Sequence, residues 1–573
     1  MRPSRNNATH LYFCCGLFLM LLVALWAIFP RHVLHVRLDN QEVTLPWVVS
    51  NMPREYDFVA EIVGSTPSVN VRPDDYLDWV KVNGVISWTT NDGNGLQCAY
   101  FKVPLRKGMR DGTNYVTFHV RDVGGSAGFD IKEAHYSLEH LALCAVIGIT
   151  AFGLAFKAGC SPWLAWPIAL GALLALLYLN VTTPWIRQHD VEGHREYIDH
   201  LLKFRTLPAV KQGWETWQPP LYYLLAAGWR TVFPGEESND PFGPVQVLAT
   251  CFFISTLMLS LRGAQRLALR KIELLGTVSL LAFLPGHLFL AARINNDVVL
   301  PLLGLGITLC VYDYIRFGVA RVLVPLALLL AGILAAKTSS IAIVGGALLA
   351  IGIADLAKGR PWRVVLWRGY FVALPSIIWL AFWISRNVEQ TGELLYVNAS
   401  LPENMRVLES ACSRLLSFDL PSFLGNHYYY DMEIRRSYPT ALVTSILFGE
   451  YNLSEYGFQW SFLYRAGFLG LLIPLAAGVF CRPRPELRAA WLTCLALVVP
   501  QMLLVIIYGL QYPYSCNQNI RFAAQVFFPL ACLCGLGLGH FAASHNRLYK
   551  GFLLLAGSAF IAGLADFYYR ILF

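Results

Sequence analysis

Residues 184–223 read PWIRQHDVEGHREYIDHLLKFRTLPAVKQGWETWQPPLYY and show where the chain leaves an apolar environment. The stretch directly follows an apolar run at 162–182 and opens with histidine and acidic side chains. It continues into an amphipathic helical pattern and closes with tryptophans, prolines and tyrosines. A polar segment of this kind after an apolar run is typical of a chain that emerges from a membrane and then lies along its surface.

The composition of the whole chain favours a membrane protein. Apolar residues make up 56% of the 573 residues, charged residues make up 14%, and the mean hydropathy is +0.47. This apolar content exceeds what soluble domains need for their cores. The net charge of +8 comes from basic residues in short loops between apolar runs, where they set membrane orientation. Nucleic acid is therefore not an expected partner.

Apolar runs long enough to cross a bilayer recur along the chain. The run at 11–30 follows Arg2 and Arg5, and we interpret residues 1–30 as an uncleaved transmembrane anchor. Further runs lie at 137–157, 162–182, 244–262, 272–292, 297–316, 321–336, 340–356, 369–385, 461–480, 489–508, 523–541 and 551–568. Together the runs predict a polytopic α-helical membrane protein with about thirteen spans, since roughly 20 residues are needed for each crossing.

Residues 31–135 break this pattern and predict a soluble all-β domain. Val116, Phe118 and Val120 alternate with polar residues, as in a half-buried strand. Turn pairs such as Asn83-Gly84 separate the short strands. The pattern resembles galactose-binding-like jelly-roll modules, so we expect an external jelly-roll-like domain. Such a domain could bind sugar, act as a spacer or dock a partner.

The basic loops predict the orientation of the chain. They follow the runs at 244–262, 297–316, 340–356, 461–480 and 523–541, and they all fall on one side, the expected cytoplasmic side, when spans are counted alternately. This count requires the segment 219–233 to be an interfacial helix that does not span. Residues 136–573 then form one transmembrane domain, with long external loops at 183–243 and 386–460 where a chemical site could be built.

The segment 184–223 resembles the first external loop of GT-C superfamily glycosyltransferases, which include protein O-mannosyltransferases and aminoarabinose transferases. The matching residues are Asp190, Gly193, His194, Tyr197, Gln218, Pro219, Pro220, Leu221, Tyr222 and Tyr223. Segments at 291–300, 335–340, 384–396 and 519–530 are also similar. The resemblance implies a GT-C-like fold from about residue 162 onward, a polyprenyl-phosphate-linked sugar as donor, and a glycan, lipid or protein as acceptor. It also implies a bacterial inner membrane with the active site facing the periplasm, although the fold also serves the endoplasmic reticulum.

The chemistry of such a transfer suggests roles for the polar residues. A sugar on a lipid phosphate has a good leaving group, so transfer needs a base for the acceptor hydroxyl and cations for the departing phosphate. Asp190 is the candidate base, and His194 would orient Asp190 or the acceptor. The candidate phosphate-binding cations are Lys337, Arg293, Arg386 and Arg521. The candidate sugar or acceptor contacts are Tyr197, Gln218, Tyr222, Tyr223 and Glu450.

Each assignment has an alternative. Asp190 could be a helix N-cap, Arg293 and Asp297 could form a plain ion pair, Lys337 could extend to the membrane surface, and Arg521 could be an outer-leaflet anchor. His189, Asp190 and His194 could hold a divalent metal, but no distant ligand accompanies them, so a metal is not favoured. Cys412 and Cys516 could form a disulfide.

The sequence therefore predicts an inverting membrane glycosyltransferase with Asp190 as the base. A transporter or flippase of lipid-linked sugars is the first alternative. Such proteins are expected to carry inverted repeats and charges buried mid-span, whereas the charges of this chain collect at one face. A non-enzymatic scaffold is the second alternative. The sugar and the acceptor stay open.

Overall fold

The computed structural model describes residues 35–39, 41–43, 47–50, 54–63, 68–73, 76–89, 101–105, 107–110, 113–122, 126–133, 162–182, 190–234, 242–394, 396, 406–425, 432–449, 460–543 and 547–572. The predicted anchor at 1–30 and the predicted span at 137–157 lie outside the described residues. His189 and Glu450 lie outside them too.

The N-terminal domain is built from two antiparallel sheets. Its strands are β1 (His35–Leu38), β2 (Gln41–Val43), β3 (Trp47–Ser50), β4 (Arg54–Val63), β5 (Ser68–Pro73), β6 (Tyr76–Val82), β7 (Val85–Thr89), β8 (Phe101–Pro104), β9 (Thr113–Asp122) and β10 (Ser126–Glu133). One sheet has the order β2-β1-β4-β9-β6-β7, and the other has the order β3-β10-β5-β8. All strand pairs within them are antiparallel.

The two sheets bury a common apolar core, which confirms the predicted all-β domain. Phe58 of β4 and Phe129 of β10 belong to different sheets, and their rings stack with centroids 4.1 Å apart. The alternation of Val116, Phe118 and Val120 along β9 places these three side chains in that core, as a period of two residues requires. The jelly-roll connectivity of the domain stays a prediction.

The Asn-Gly pair between β6 and β7 forms a tight hairpin turn. Asn83 and Gly84 both have positive φ, 49° and 83°, as the favoured two-residue hairpin turn needs. The Asn83 amide also donates to the carbonyl of Gly108 at 2.9 Å and to the side chain of buried Asn114 at 2.8 Å. The turn is therefore tied to the loop before β9.

The rest of the described chain is helical. The helices are α1 (Pro162–Val181), α2 (Val191–Phe204), α3 (Leu221–Val232), α4 (Gly243–Arg266), α5 (Lys271–Phe283), α6 (Pro285–Leu288), α7 (Leu300–Phe317), α8 (Leu323–Ala336), α9 (Ile341–Ala357), α10 (Trp362–Thr391), α11 (Ala411–Leu416), α12 (Leu420–Leu424), α13 (Met432–Arg435), α14 (Tyr438–Phe448), α15 (Ser461–Phe480), α16 (Arg488–Gln511), α17 (Phe527–Ala543) and α18 (Arg547–Leu572). Short 3-10 segments at Asn296–Val299, Thr338–Ser340 and Ile520–Val526 join or extend them.

Eight helices among the described residues are long and apolar enough to cross a membrane, which confirms an integral membrane protein in outline. Eight is fewer than the roughly thirteen spans that the lengths of the apolar runs predict. The run at 272–292 is bent by 54° between α5 and α6, where Pro285 begins the second helix and Leu284 is extended. Two other runs give shorter apolar stretches of helix, Leu164–Leu179 within α1 and Ala320–Ala336, and two further runs lie outside the described chain.

The helix α3 has 12 residues, too few to cross a bilayer. One of its faces is buried through Tyr222, Tyr223, Ala226 and Ala227. Arg230 near its end pairs with Asp199 of α2 at 2.6 Å. The helices α2 and α3 therefore pack together as one unit, and this arrangement suits the interfacial role expected from the sequence.

Candidate functional site

Asp190 stands at the start of α2 with its side chain exposed. Its backbone is in the left-handed region, with φ 58° and ψ 18°, a conformation that Asp adopts more readily than most residues. Within the described chain, its carboxylate accepts no capping hydrogen bond from the first turn of α2. Instead, Oδ1 accepts a hydrogen bond from the indole Nε1 of Trp214 at 3.0 Å.

The turn that carries Trp214 packs tightly against the first turn of α2. A Cβ atom on Gly193 would lie 2.9 Å from Glu215 Cγ, 3.1 Å from the Glu215 backbone nitrogen and 3.1 Å from Trp214 Cβ. Only a residue without a side chain fits such a gap without movement. The glycine of the Gly-His pair therefore lets the Trp214 turn approach Asp190.

Glu215 is buried directly beside this contact. It is 6% exposed, and its Oε2 has no hydrogen-bond partner among the described residues. Burial, helped by the negative charge of Asp190, raises the pKa of the Glu215 carboxyl to about 8, against the opposing effects of a hydrogen bond with Gln218 and the charges of Lys337 and Arg521. A carboxyl group with such a pKa is mostly protonated at neutral pH.

His194 is buried one helical turn after Asp190. Its backbone nitrogen donates to the Asp190 carbonyl at 3.1 Å, and its Nδ1 shares a hydrogen bond of 2.8 Å with the Tyr223 hydroxyl. Burial, helped by the charges of Arg521 and Lys337, lowers the pKa of the His194 ring to about 4, against the opposing effects of Asp190 and Asp297. The ring is therefore neutral at physiological pH, and its side chain is oriented by Tyr223.

The tyrosines expected to contact sugar form the packing between α2 and α3. The rings of Tyr197 and Tyr223 stack with centroids 3.9 Å apart, and the Tyr197 hydroxyl donates to the Gln218 carbonyl at 3.3 Å. Tyr197, Tyr222 and Tyr223 are all 0% exposed. In this conformation these three residues hold the loop together and offer no surface to a sugar.

A buried ion pair lies next to this loop. Lys337, which follows α8, pairs with Asp297 of the Asn296–Val299 segment, and both side chains are buried. The Lys337 ammonium also lies 4.8 Å from the ring centroid of Phe522. Lys337 thus meets Asp297, which is 40 positions away in sequence, and Phe522, which is 185 positions away.

Asn296 connects the ion pair to the external loop. Its side-chain amide donates to Gln218 Oε1 at 3.1 Å and to the Ala336 carbonyl at 3.0 Å. Gln218 in turn bonds to Glu215, and Glu215 directly follows Trp214, whose indole holds Asp190. These contacts form a continuous connection from the exposed carboxylate of Asp190 to the ammonium of Lys337.

The candidate cations divide into two groups. Lys337 and Arg521 both act electrostatically on His194 and Glu215, so they share the environment of Asp190. Arg386 of α10 instead donates to the carbonyls of Pro208 and Thr216, at 2.6 and 3.3 Å.

The Arg386 side chain therefore anchors the external loop through the loop's backbone carbonyls. The Val210 nitrogen donates to Gln390 Oε1 of the same helix at 2.8 Å and adds to this anchoring. Arg293 is buried just before Asn296. The phosphate-binding roles of Arg386 and Arg293 stay predictions.

The remaining sequence predictions concern metals and cysteines. In the described ranges no three His, Cys, Asp or Glu side chains form a group that could hold a metal ion. The thiols of Cys412 and Cys516 are both free in the described part of the chain, so the disulfide left open by the sequence is not formed here.

Sequence reasoning missed Trp214, Glu215 and Asn296. Trp214 and Glu215 lie in the quoted stretch, where an acidic residue between two tryptophans was the available signal. Asp297 was considered only as a partner of Arg293, whereas its carboxylate pairs with Lys337.

No protein-family model matches the sequence, and no curated protein matches it. Among solved structures, the chain is similar to archaeal oligosaccharyltransferase AglB from Archaeoglobus fulgidus, in complex with an inhibitory peptide and a dolichol-phosphate. The two share 12% sequence identity and a TM-score of 0.34 over 70% of this chain, and the chain spans 55% of the length of that protein. Similarity at this level assigns neither family nor function, so function is argued from the site itself.

Proposed function

We propose that the chain is a membrane glycosyltransferase that moves a sugar from a polyprenyl-phosphate donor to an acceptor hydroxyl at the non-cytoplasmic face. The observation that carries the proposal is an exposed carboxylate, Asp190, oriented by Trp214 and connected through buried contacts to Lys337, while the charge of Arg521 acts on the same neighbouring groups. The resemblance of the segment 184–223 to the first external loop of GT-C enzymes supports it.

The proposed reaction is a single displacement. Asp190 takes the proton of the acceptor hydroxyl, the acceptor oxygen bonds to the anomeric carbon, and the bond from that carbon to the phosphate oxygen breaks. The electron pair leaves with the lipid phosphate, whose charge Lys337 and Arg521 offset. Attack opposite the leaving group inverts the anomeric centre. Lys337 would have to share its charge between Asp297 and the phosphate.

The proposal also assigns the site to one face of the membrane and gives a role to the β domain. We place the site at the periplasmic face of a bacterial inner membrane, on the transmembrane domain 136–573. The β domain at 31–135 would bind the acceptor or a protein that delivers it. Neither a nucleotide nor a metal takes part in the proposed step.

The decisive experiment compares Asp190→Asn with Glu192→Gln. Purified variants are given a polyprenyl-phosphate-linked sugar and candidate acceptors, and products are detected by mass spectrometry. Loss of a general base should reduce the transfer rate by about 10²–10⁴-fold, while thermal stability and binding of polyprenyl phosphate stay unchanged. Glu192 is exposed in the first turn of α2, so its variant should retain wild-type activity.

Two outcomes would overturn the proposal. Transfer by Asp190→Asn at the wild-type rate would remove Asp190 from the chemistry. Movement of a lipid-linked sugar across vesicles by wild type and Asp190→Asn alike, without any transfer product, would favour the transporter alternative.

A further inference from the structure

Glu215 is a buried acidic group beside the candidate site, and the proposed reaction does not use it. Its Cγ packs against the backbone of Gly193, and the neighbouring Trp214 holds Asp190. The side chain therefore lies directly behind the residues that orient the candidate base. A substitution of Glu215 would therefore change the position of this turn and, through Trp214, the orientation of Asp190.

The surroundings of Glu215 suit a neutral carboxylic acid better than a carboxylate. Oε2 is inaccessible to water and has no hydrogen-bond donor among the described residues. An ionised carboxylate accepts several hydrogen bonds, and burying it with one oxygen unsatisfied is strongly disfavoured. The group is therefore expected to keep its proton while the turn stays closed.

The charges around Glu215 come from several elements. Asp190 and His194 lie at and near the start of α2, and Glu196 of α2 contacts the same turn at Gly213. Lys337 and Arg521 act on Glu215 from the spans, and Glu215 acts on Tyr223 and Tyr508. The two cations favour ionisation of Glu215, while burial and Asp190 oppose it and outweigh them.

We propose that Glu215 is a positioning residue of the transfer site, which holds the turn behind Asp190 in place only while its own carboxyl group is protonated. Ionisation would leave a desolvated negative charge next to Asp190, and the turn would have to open to solvate it. Opening would separate the Trp214 indole from Asp190. This inference rests on the proposed function, because it concerns the geometry of the same base.

The first test is the pH profile of transfer for wild type, Glu215→Gln and Glu215→Ala. Glutamine has the shape of the neutral acid and cannot ionise. Wild-type activity should fall as pH rises above about 8, by roughly tenfold for each pH unit, as loss of one proton requires. Glu215→Gln should keep neutral-pH activity within about threefold of wild type and lack this alkaline fall, because it preserves the uncharged form.

Glu215→Ala should lose activity at all pH values, because the support behind the turn is removed. Glu196→Gln is the matched control, since Glu196 is an exposed acidic residue of α2, and it should keep the wild-type profile. An alkaline fall in Glu215→Gln equal to that of wild type would overturn the proposal. Loss of neutral-pH activity in Glu215→Gln as severe as in Glu215→Ala would overturn it too.

A second readout does not depend on transfer. The pKa of Glu215 is raised from 4.5 to about 8, so its contribution to stability is fully present below 4.5 and is lost as pH rises to about 8. Thermal unfolding in detergent should therefore show a smaller loss of stability over this range for Glu215→Gln than for wild type. Equal losses would overturn the inference whatever the activity of the protein, whereas an active Asp190→Asn variant would overturn the proposed function without changing the result of this stability measurement.

Discussion

The indole nitrogen of Trp214 donates a hydrogen bond to Oδ1 of Asp190 across 3.0 Å and holds an exposed carboxylate in one orientation. The two residues are 24 positions apart, and Gly193 allows their segments to meet. This bond uses one carboxylate oxygen, and in the proposed reaction the second one would take the proton of the acceptor.

Removing this donor should impair the base without unfolding the loop. Trp214→Phe keeps an aromatic ring and deletes the indole nitrogen. Because a hydrogen bond to a charged group contributes about 1.5–3 kcal/mol, the transfer rate should fall roughly tenfold or more. Trp367→Phe is the control, since Trp367 is an exposed residue of α10. Equal rates in the two variants would show that the bond does not orient Asp190.

Gly193 lies so close to the Trp214 turn that adding one methyl group at this position should lower the free energy of unfolding. Gly193→Ala would bring a Cβ within 2.9 Å of Glu215, and such overpacking costs about 1–3 kcal/mol. Gly228→Ala in α3 has open space at the corresponding position and should stabilise the protein by about 0.5–1 kcal/mol. Chemical unfolding in detergent micelles gives both values. A Gly193→Ala protein as stable as wild type would contradict the packing described here.

The buried pair of Asp297 and Lys337 should be costly to break from one side. Lys337→Met leaves a buried carboxylate without its partner, so the free energy of unfolding should fall by about 3–5 kcal/mol. The double variant Lys337→Met/Asp297→Asn carries no charge and should recover part of this stability, but it should not recover transfer.

The exposed pair of Arg270 and Glu486 provides the control for that experiment. Glu486→Gln should change the free energy of unfolding by about 1 kcal/mol or less. A double variant with full transfer activity would remove Lys337 from the site, and a stable Lys337→Met variant would contradict the burial of the pair.

The buried ring of His194 predicts how the stability of the protein changes as the pH falls. Its pKa is lowered from 6.5 to about 4, so the folded protein holds the neutral ring where the unfolded chain would be protonated. The corresponding stability is present above 6.5 and is lost as pH falls to about 4. Thermal unfolding of His194→Gln should show a smaller loss over this range than wild type. His200→Gln, on the same helix, should behave like wild type, and a steeper loss in His194→Gln would contradict the prediction.

Much of the architecture could be predicted from local patterns. Alternation along 116–121 and the Asn-Gly turn at 83–84 predict strands and a hairpin, because side-chain direction and turn conformation depend on neighbouring residues. The described apolar runs coincide with helices for the same reason. The number of spans could not be predicted equally well, because the hydropathy of a run does not show whether its helix is broken, as it is where Leu284 is extended before Pro285.

The sequence by itself determined that the chain carries helices apolar enough to cross a membrane, that an all-β domain precedes the helical part described here, and that a loop beginning near Asp190 is rich in polar and aromatic groups. These properties follow from composition and from contacts within a few residues. Only the tertiary structure decided that Trp214 bonds to Asp190, that Asp297 pairs with Lys337, that Arg386 binds backbone carbonyls of the loop, and that three conspicuous tyrosines are buried. Such partners are brought together by packing between helices that are distant in sequence, and burial then decides which polar groups are charged.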